Sequence, residues 1–166
     1  MVSLSRLLRH LLTPDWQVGK CFPARVMQAV EASIAASETR HAGEIRFAVE
    51  AGLPLASLLH GETARLRAVE VFSRLRVWDT ENNSGVLIYV QLVDREVEIL
   101  ADRGINALVP QAEWDAICHR LEESYRNGNF EQGTIAAIEE IGIRLARHFP
   151  PLGANPNELP DRPAIL

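Results

Sequence analysis

Carboxylate and amide side chains are concentrated in two short segments of this sequence. The first is Asp79-Thr80-Glu81-Asn82-Asn83, which precedes a long apolar run, and the second is Asp102-Arg103, which follows an alternating run. Carboxylate and amide oxygens are the ligands that hard cations such as Ca²⁺ and Mg²⁺ prefer. If the fold brings the two segments together, Asp79 and Asp102 are the preferred candidates for metal ligands.

A purely structural interpretation of the same residues stays open. Asp79 and the two asparagines can form Asx turns before a strand, and Asp102 can cap a short turn after one. Nothing in the sequence matches the EF-hand calcium loop, whose carboxylates recur at alternate positions with a central Gly and a final Glu. The spacing alone therefore does not decide between a metal site and turn capping.

Other catalytic signatures do not occur in the sequence. It contains no GxGxxG, GxxxxGK[ST], HExxH or GxSxG motif. Cys118 and His119 are adjacent on a predicted helix, so their side chains diverge and cannot form a thiolate pair within it. Cys21 has no metal or redox spacing either, and a surface turn is the favoured interpretation of His41. The sequence therefore predicts no activated nucleophile.

The hydrophobic pattern predicts strands around the polar segments. Residues 44–50 alternate apolar and charged side chains, which is typical of a half-exposed strand. Residues 86–92 are almost continuously apolar, which predicts a strand buried on both faces at the centre of a sheet. A tight turn at residues 93–96 then leads into a third, antiparallel strand through Val97 and Ile99.

The order of these strands predicts which edge of the sheet carries a site. A helical crossover makes the first two strands parallel, and the third strand runs back beside the second. The start of the first strand, the start of the second and the end of the third then share one edge. That edge gathers four candidate metal ligands, Glu44, Asp79, Asn83 and Asp102.

Helices are predicted on both faces of this sheet, so the fold class is α/β, a three-layer α/β/α sandwich around a small mixed sheet. The segments with helical periodicity are 4–12, 23–39, 53–59, 62–76, the stretch from Trp114 to Asn127, and 131–148. In the helix over 62–76, the predicted inward positions are Leu66, Val69, Phe72 and Leu75.

The two ends of the chain differ in character from the α/β domain over residues 23–149. Residues 1–22 form an amphipathic helix and a linker, with leucines at 4, 7, 8, 11 and 12 on one face. That face is expected to dock against protein, and a membrane surface is the alternative. Five of the nine prolines fall in residues 150–166, which predicts a mobile tail that builds no packed element.

Charge and hydropathy restrict the class of protein. A chain of 166 residues with a net charge of −5 fits one domain and disfavours a nucleic-acid partner. No apolar run approaches the roughly 20 residues of a transmembrane segment, and Arg9 and His10 interrupt the only run that could resemble a signal peptide. A cytoplasmic protein is expected, at most peripheral to the membrane through its N-terminal helix.

Several motifs resemble the TPM domain family, named after a thylakoid lumen protein, a photosystem II repair protein and a levamisole-receptor modulator. The motifs are His41-Ala42-Gly43-Glu44-Ile45-Arg46, Val77-Trp78-Asp79, Asn83-Ser84-Gly85-Val86-Leu87-Ile88, Asp94-Arg95-Glu96-Val97-Glu98-Ile99 and Gly104-Ile105. The likeness covers about residues 32–149 and is most specific in the N-x-G-V-L-I strand and the D-R-x-V-x-I hairpin.

The resemblance implies an α/β/α sandwich with polar loops at one sheet edge, which bind divalent cations in some members. Carried over by position, it assigns Asp79 and Asn83 from the loop and Asp102 from the turn after the hairpin. Asp102 replaces the first glycine of the usual Gly-x-Gly turn, a departure that affects the site geometry. Of the candidate ions Mg²⁺, Mn²⁺ and Ca²⁺, the first two fit a cytosolic protein better, because free calcium there is low.

Two functions follow from these observations. The first is a non-catalytic binding module that engages an unknown, membrane-associated protein partner in envelope or membrane-protein maintenance. The second is a metal-assisted acid phosphatase, an activity that the resemblance implies, in which Arg103 would neutralise phosphoryl charge beside the cation. Because no nucleophile is evident, the binding module is favoured.

Overall fold

The computed structural model describes residues 4–14, 16–151, 153 and 156–166. Their strands form one mixed sheet in the order β3-β2-β1-β4, made of β1 Glu44–Glu50, β2 Gly85–Gln91, β3 Glu96–Ala101 and β4 Ala164–Ile165. β1 is parallel to both β2 and β4, and β3 is antiparallel to β2. The predicted β-α-β unit, the hairpin and the interior position of the apolar run are thereby confirmed.

Helices cover both faces of the sheet. The described helices are α1 Leu4–Leu12, α2 Trp16–Cys21, α3 Ala24–Glu38, α4 Leu55–Leu59, α5 Ala64–Arg74, α6 Arg103–Asn106, α7 Gln111–Arg126 and α8 Phe130–His148. α3, α7 and α8 pack together on one face, and α5 packs on the other. The predicted three-layer sandwich is confirmed, and no helix in the described ranges has the length and apolar character needed to span a bilayer.

Two hydrophobic cores lie on opposite sides of β2. Val86, Ile88 and Val90 belong to the core beneath α3, α7 and α8. Leu87 and Tyr89 belong to the core beneath α5. This two-sided burial explains why the strand is apolar at consecutive positions rather than at alternate ones.

The prediction that β1 is half-exposed is wrong, because all seven of its residues are buried. Its charged face lies beneath α5 and the C-terminal segment, and each charge has partners there. Glu50 pairs with Arg67 of α5, and Arg46 donates to the carbonyl of Arg162 at 3.0 Å. A buried charge that is paired produces the same alternating pattern in a sequence as a solvated one.

The predicted inward face of α5 is partly wrong. Leu66 and Val69 are 58% and 48% exposed, whereas Phe72 and Leu75 do pack against the core. The fully buried positions of the helix are Ala64, Arg67, Ala68 and Val71. The ion pair of Arg67 with the sheet rotates the leucine outward, and the two alanines allow the helix to approach closely.

The C-terminal residues 156–166 pack against the sheet. Ala164 and Ile165 of β4 pair with Ala48 and Val49, and the side chain of Leu159 is buried. The prediction that residues 150–166 build no packed element is therefore wrong. Prolines are compatible with this arrangement because β4 is a short edge strand, and no proline occupies its paired positions.

α1 docks through its polar face instead of its leucines. Asp94 Oδ2 lies 2.8 Å from Arg6 Nη2 and 3.0 Å from His10 Nε2, and His10 Nδ1 accepts the Leu53 amide at 2.9 Å. Of the five leucines expected to dock against protein, Leu7 is half-buried, and the other four are exposed and do not dock against this domain. Buried polar contacts with Asp94 orient the helix, and its opposite face is left in solvent.

Candidate functional site

The predicted edge of the sheet is formed as the strand order requires. Glu44 is opposite Gly85, and Val86 is opposite Ala101, so the loop before β2 and the turn after β3 are neighbours. The Asp102 amide donates to the carbonyl of Gly85 at 2.8 Å, which ties the turn to the start of β2.

Asn83 organises the loop at this edge. It has a left-handed backbone with φ of 50°, which Asn tolerates better than most residues. Its carbonyl accepts the amides of Gly104 and Ile105, and its side-chain Oδ1 accepts Arg103 Nε at 3.0 Å. A Cβ at position 104 would lie 2.5 Å from the carbonyl oxygen of Asn82, so only glycine fits there. The Asn83 and Gly104 segments of the motif are therefore interlocked.

Asp102 caps α6 and also leaves one oxygen unused. Its Oδ1 accepts the Arg103 amide at 2.7 Å, which agrees with the turn-capping interpretation. Its Oδ2 is buried and has no hydrogen-bond partner in the structure. Burying a polar oxygen without a partner costs about 1–3 kcal/mol, more when it is charged. This oxygen is therefore the place at the edge where an added cation would gain most.

The other two candidate ligands are engaged elsewhere. Asp79 is half-exposed and pairs with Arg76 at 2.6 Å. Glu44 is buried and accepts the amides of Glu158 and Leu159 at 3.2 and 3.1 Å, so it anchors the C-terminal segment. Across the described residues, no group of three or more His, Cys, Asp or Glu side chains is arranged to hold a metal ion. The structure brings Asn83 and Asp102 together but does not gather all four residues into one cluster.

A second acidic group, which the sequence did not reveal, lies behind Glu44. Glu38 at the end of α3 accepts the Ile45 amide at 2.8 Å, and desolvation raises the pKa of its carboxyl to about 9. Desolvation likewise raises the pKa of Glu44 to about 7, against the opposing effect of the two amides. The Asp161 carboxylate acts on both glutamates in the same direction. The only feature of the sequence that could have indicated this group is the position of Glu38 shortly before the first strand.

Stability is expected to fall with rising pH because of Glu38. Near pH 4.5 its carboxyl is neutral in the folded state and begins to ionise in the unfolded one. Between that pH and about 9, the unfolded state releases a proton that the folded state retains. Unfolding is then favoured by up to about 1.4 kcal/mol for each pH unit, a dependence that ends above the folded-state pKa.

The Glu38→Gln variant isolates this effect, because the amide imitates the neutral carboxyl. Melting temperatures of the variant and the wild type should be similar at pH 5 and should diverge towards pH 9, with the variant higher. Parallel curves over that range would show that Glu38 ionises normally in the folded protein.

The Ser37 hydroxyl and the His41 imidazole lie as close together as a catalytic nucleophile and its general base, but they cannot act as such a pair. Ser37 Oγ lies 3.0 Å from His41 Nε2, while His41 Nδ1 lies 3.0 Å from the Gly43 carbonyl. Both side chains are buried, and Gly142 packs directly on the hydroxyl. Desolvation lowers the pKa of His41 to about 4, so the imidazole is neutral. The surface turn expected for His41 is wrong, and the pair is part of the core.

A buried ion pair lies at the opposite end of β1. Arg67 Nε and Nη2 contact the two oxygens of Glu50 at 2.9 and 3.0 Å, and the Tyr89 hydroxyl donates to the same carboxylate. Burial and the Glu50 charge raise the pKa of Tyr89. Because this group is sealed beneath α5, its role is to hold the helix on the sheet.

Comparisons with known proteins agree with the motifs. The family model of the TPM domain matches residues 20–143. Among solved structures, the NMR structure of the BA42 protein from the psychrophilic bacterium Bizionia argentinensis is similar, with a TM-score of 0.77. It is 31% identical, over 87% of this chain and 95% of that chain. No curated protein matches.

Proposed function

This chain belongs to the TPM domain family, and on that basis we propose that it is a non-catalytic binding module that holds a divalent cation at the edge formed by Asn83 and Asp102. The observation that carries the proposal is the buried, unpartnered Oδ2 of Asp102. A hard cation supplies the charge that this oxygen lacks.

We propose that two further oxygens complete the donor set, Asn83 Oδ1 beside Asp102 and, after a movement towards Asp102, the Asp79 carboxylate. Asn83 Oδ1 is bonded to exposed Arg103, and Asp79 is bonded to exposed Arg76, so both can exchange a surface arginine for a cation. An exposed ion pair such as Asp79–Arg76 contributes about 0–1 kcal/mol, and the exposed hydrogen bond to Asn83 is worth a similar amount, so both are small barriers to such an exchange. Glu44 is held by two amides of the C-terminal segment and keeps that role in the proposal.

The proposal includes no hydrolytic step. Phosphoryl transfer needs a positioned nucleophile or water beside the cation. The hydrogen-bonded Ser37 and His41 are sealed in the core, and desolvation raises the pKa of the Cys118 thiol to about 12. The module acts through what it binds, and we propose a protein partner in envelope or membrane-protein maintenance.

The proposed ion is Mg²⁺ or Mn²⁺, in a cytoplasmic setting. Cys21 and Cys118 are both free thiols, which suits a reducing compartment. Free calcium is scarce there, so a weak site would not fill with Ca²⁺.

Asp102→Asn is expected to weaken Mg²⁺ or Mn²⁺ binding at least about tenfold, or about 1.4 kcal/mol. Asparagine caps helices as well as aspartate does, so α6 should be retained while the anionic oxygen is lost. Isothermal titration with Mg²⁺, Mn²⁺ and Ca²⁺ measures the change.

Asp115→Asn is a matched control on the exposed side of α7, where Asp115 accepts a hydrogen bond from Gln111. It should bind the ion as the wild type does. A wild type that binds none of the three ions, or an Asp102→Asn variant with unchanged affinity, would refute the metal site.

A further inference from the structure

α1 exposes an apolar face whose members lie three and four residues apart, as on one side of a helix. This leucine face consists of Leu4, Leu8, Leu11 and Leu12, which are 71%, 47%, 54% and 76% exposed, whereas Leu7 is half-buried. Contiguous apolar patches are uncommon on soluble proteins and mark surfaces that bind a partner. We therefore expect the leucine face to bind a partner.

The contacts of the polar face prevent the leucines from turning inward. Arg6 and His10 hold Asp94, whose side chain is only 8% exposed. Rolling the helix over would break these contacts and leave Asp94 without them, which is costly for a shielded charge. The outward orientation of the leucine face is thus built into the docking of α1.

Further exposed apolar side chains lie on α4, which contacts α1, and on α2, which follows α1 in the chain. α4 contacts α1 and carries Leu55 and Leu59, which are 48% and 67% exposed. Trp16, at the start of α2, is 59% exposed, and Lys20 Nζ lies 4.3 Å from the centre of its ring. Tryptophan and lysine together are typical of protein segments at the boundary between lipid and water.

The charge of this end of the molecule selects the occupant. Residues 1–22 contain three of the seventeen basic side chains but one of the twenty-two acidic ones, and Asp94, which α1 holds, offsets one more of these charges, which leaves a net +1 in a chain of net −5. Arg9 is 61% exposed, with its Nη2 3.8 Å from Asp94 Oδ1, and Lys20 is exposed as well. A second copy docked there would bring like charges together, whereas anionic lipid headgroups would neutralise them.

We propose that the leucine face of α1 lies on the surface of a lipid bilayer that contains anionic headgroups. The helix rests in the plane of the interface, with its leucines in the acyl boundary and Arg9 and Lys20 among the headgroups. Asp94 then sets the orientation of the α/β domain relative to the membrane, since it holds the other side of the helix.

Vesicle co-sedimentation of the full chain tests this proposal. We expect binding to vesicles in which about one third of the phosphatidylcholine is replaced by phosphatidylglycerol, and weaker binding at high salt. Replacing Leu8 and Leu12 together with serine should reduce the affinity by about tenfold or more. Because both positions are solvent-exposed, the melting temperature should stay close to that of the wild type. Chelator in the buffer keeps the result independent of the proposed cation site.

A matched control replaces Leu108 and Ile143 with serine, since these side chains are 50% and 51% exposed and lie outside α1, α2 and α4. This control should bind vesicles as the wild type does. Equal loss in both variants, or binding that ignores lipid charge and salt, would overturn the proposal. So would a wild type that ignores vesicles but sediments as a dimer that the Leu8 and Leu12 changes dissociate.

Discussion

Replacing Arg67 with alanine is expected to lower the free energy of unfolding by about 3–5 kcal/mol, because it leaves a buried carboxylate without its cation. Glu50 is 2% exposed and Arg67 is 5% exposed, and their contact is bidentate. Tyr89 alone would remain to donate to Glu50. Urea denaturation of both proteins measures the difference.

Arg65→Ala is the matched control for this prediction. Arg65 lies on the same helix and pairs with Glu98, but its side chain is 47% exposed. Its loss should therefore cost no more than about 1 kcal/mol. A double variant, Arg67→Met with Glu50→Gln, should recover much of the lost stability, since no charge is then left buried. Similar small effects for both arginines would mean that water reaches Glu50.

Deleting residues 156–166 is expected to destabilise the protein by at least about 3 kcal/mol, since it removes a buried leucine and several hydrogen bonds. Leu159 leaves the core beneath α5, and β1 loses its pairing with β4. Glu44 loses two amide donors, and Arg46 loses the Arg162 carbonyl. The result should appear as a lower melting temperature and a lower urea midpoint.

Two single substitutions separate the contributions within this segment. Leu159→Ala should account for about 2–5 kcal/mol, because the leucine is almost fully buried. Ile165→Ala should have a small effect, because that side chain is 61% exposed in β4. If the truncated protein melts within a degree or two of the full chain, the C-terminal segment does not contribute to the fold.

The hydrophobic pattern predicted the first three strands, their order and the shared edge correctly, but not β4. Residues 86–92 were recognisable as the interior strand because no solvated strand is apolar at consecutive positions. The same strand order brought Asn83 and the turn at Asp102 together, and both were identified beforehand. Local patterns suffice for such features because they report directly on which backbone segments are excluded from water.

Only the tertiary structure decided which charged residues are buried and which helix faces they turn inward. Arg67 and Glu50 look like solvated residues in the sequence, yet their mutual contact buries both and rotates α5 away from its predicted face. Asp94 likewise sets the orientation of α1. Its contacts with Arg6 and His10 hold the polar face of the helix inward and leave the leucines exposed. Partners 17 to 88 residues apart produce no local pattern, since hydropathy records each side chain by itself.

The docking of the C-terminal segment also depends on contacts with residues distant in the chain. Its prolines predicted a mobile tail, but two residues of β4 and two amides on Glu44 were enough to dock it. The sequence by itself therefore determined the layers, the order of the first three strands and the family of this protein. The tertiary structure alone decided which charges are buried, which faces the terminal segments present, and that Asp102 Oδ2 has no hydrogen-bond partner, because each of these depends on contacts between residues distant in the chain.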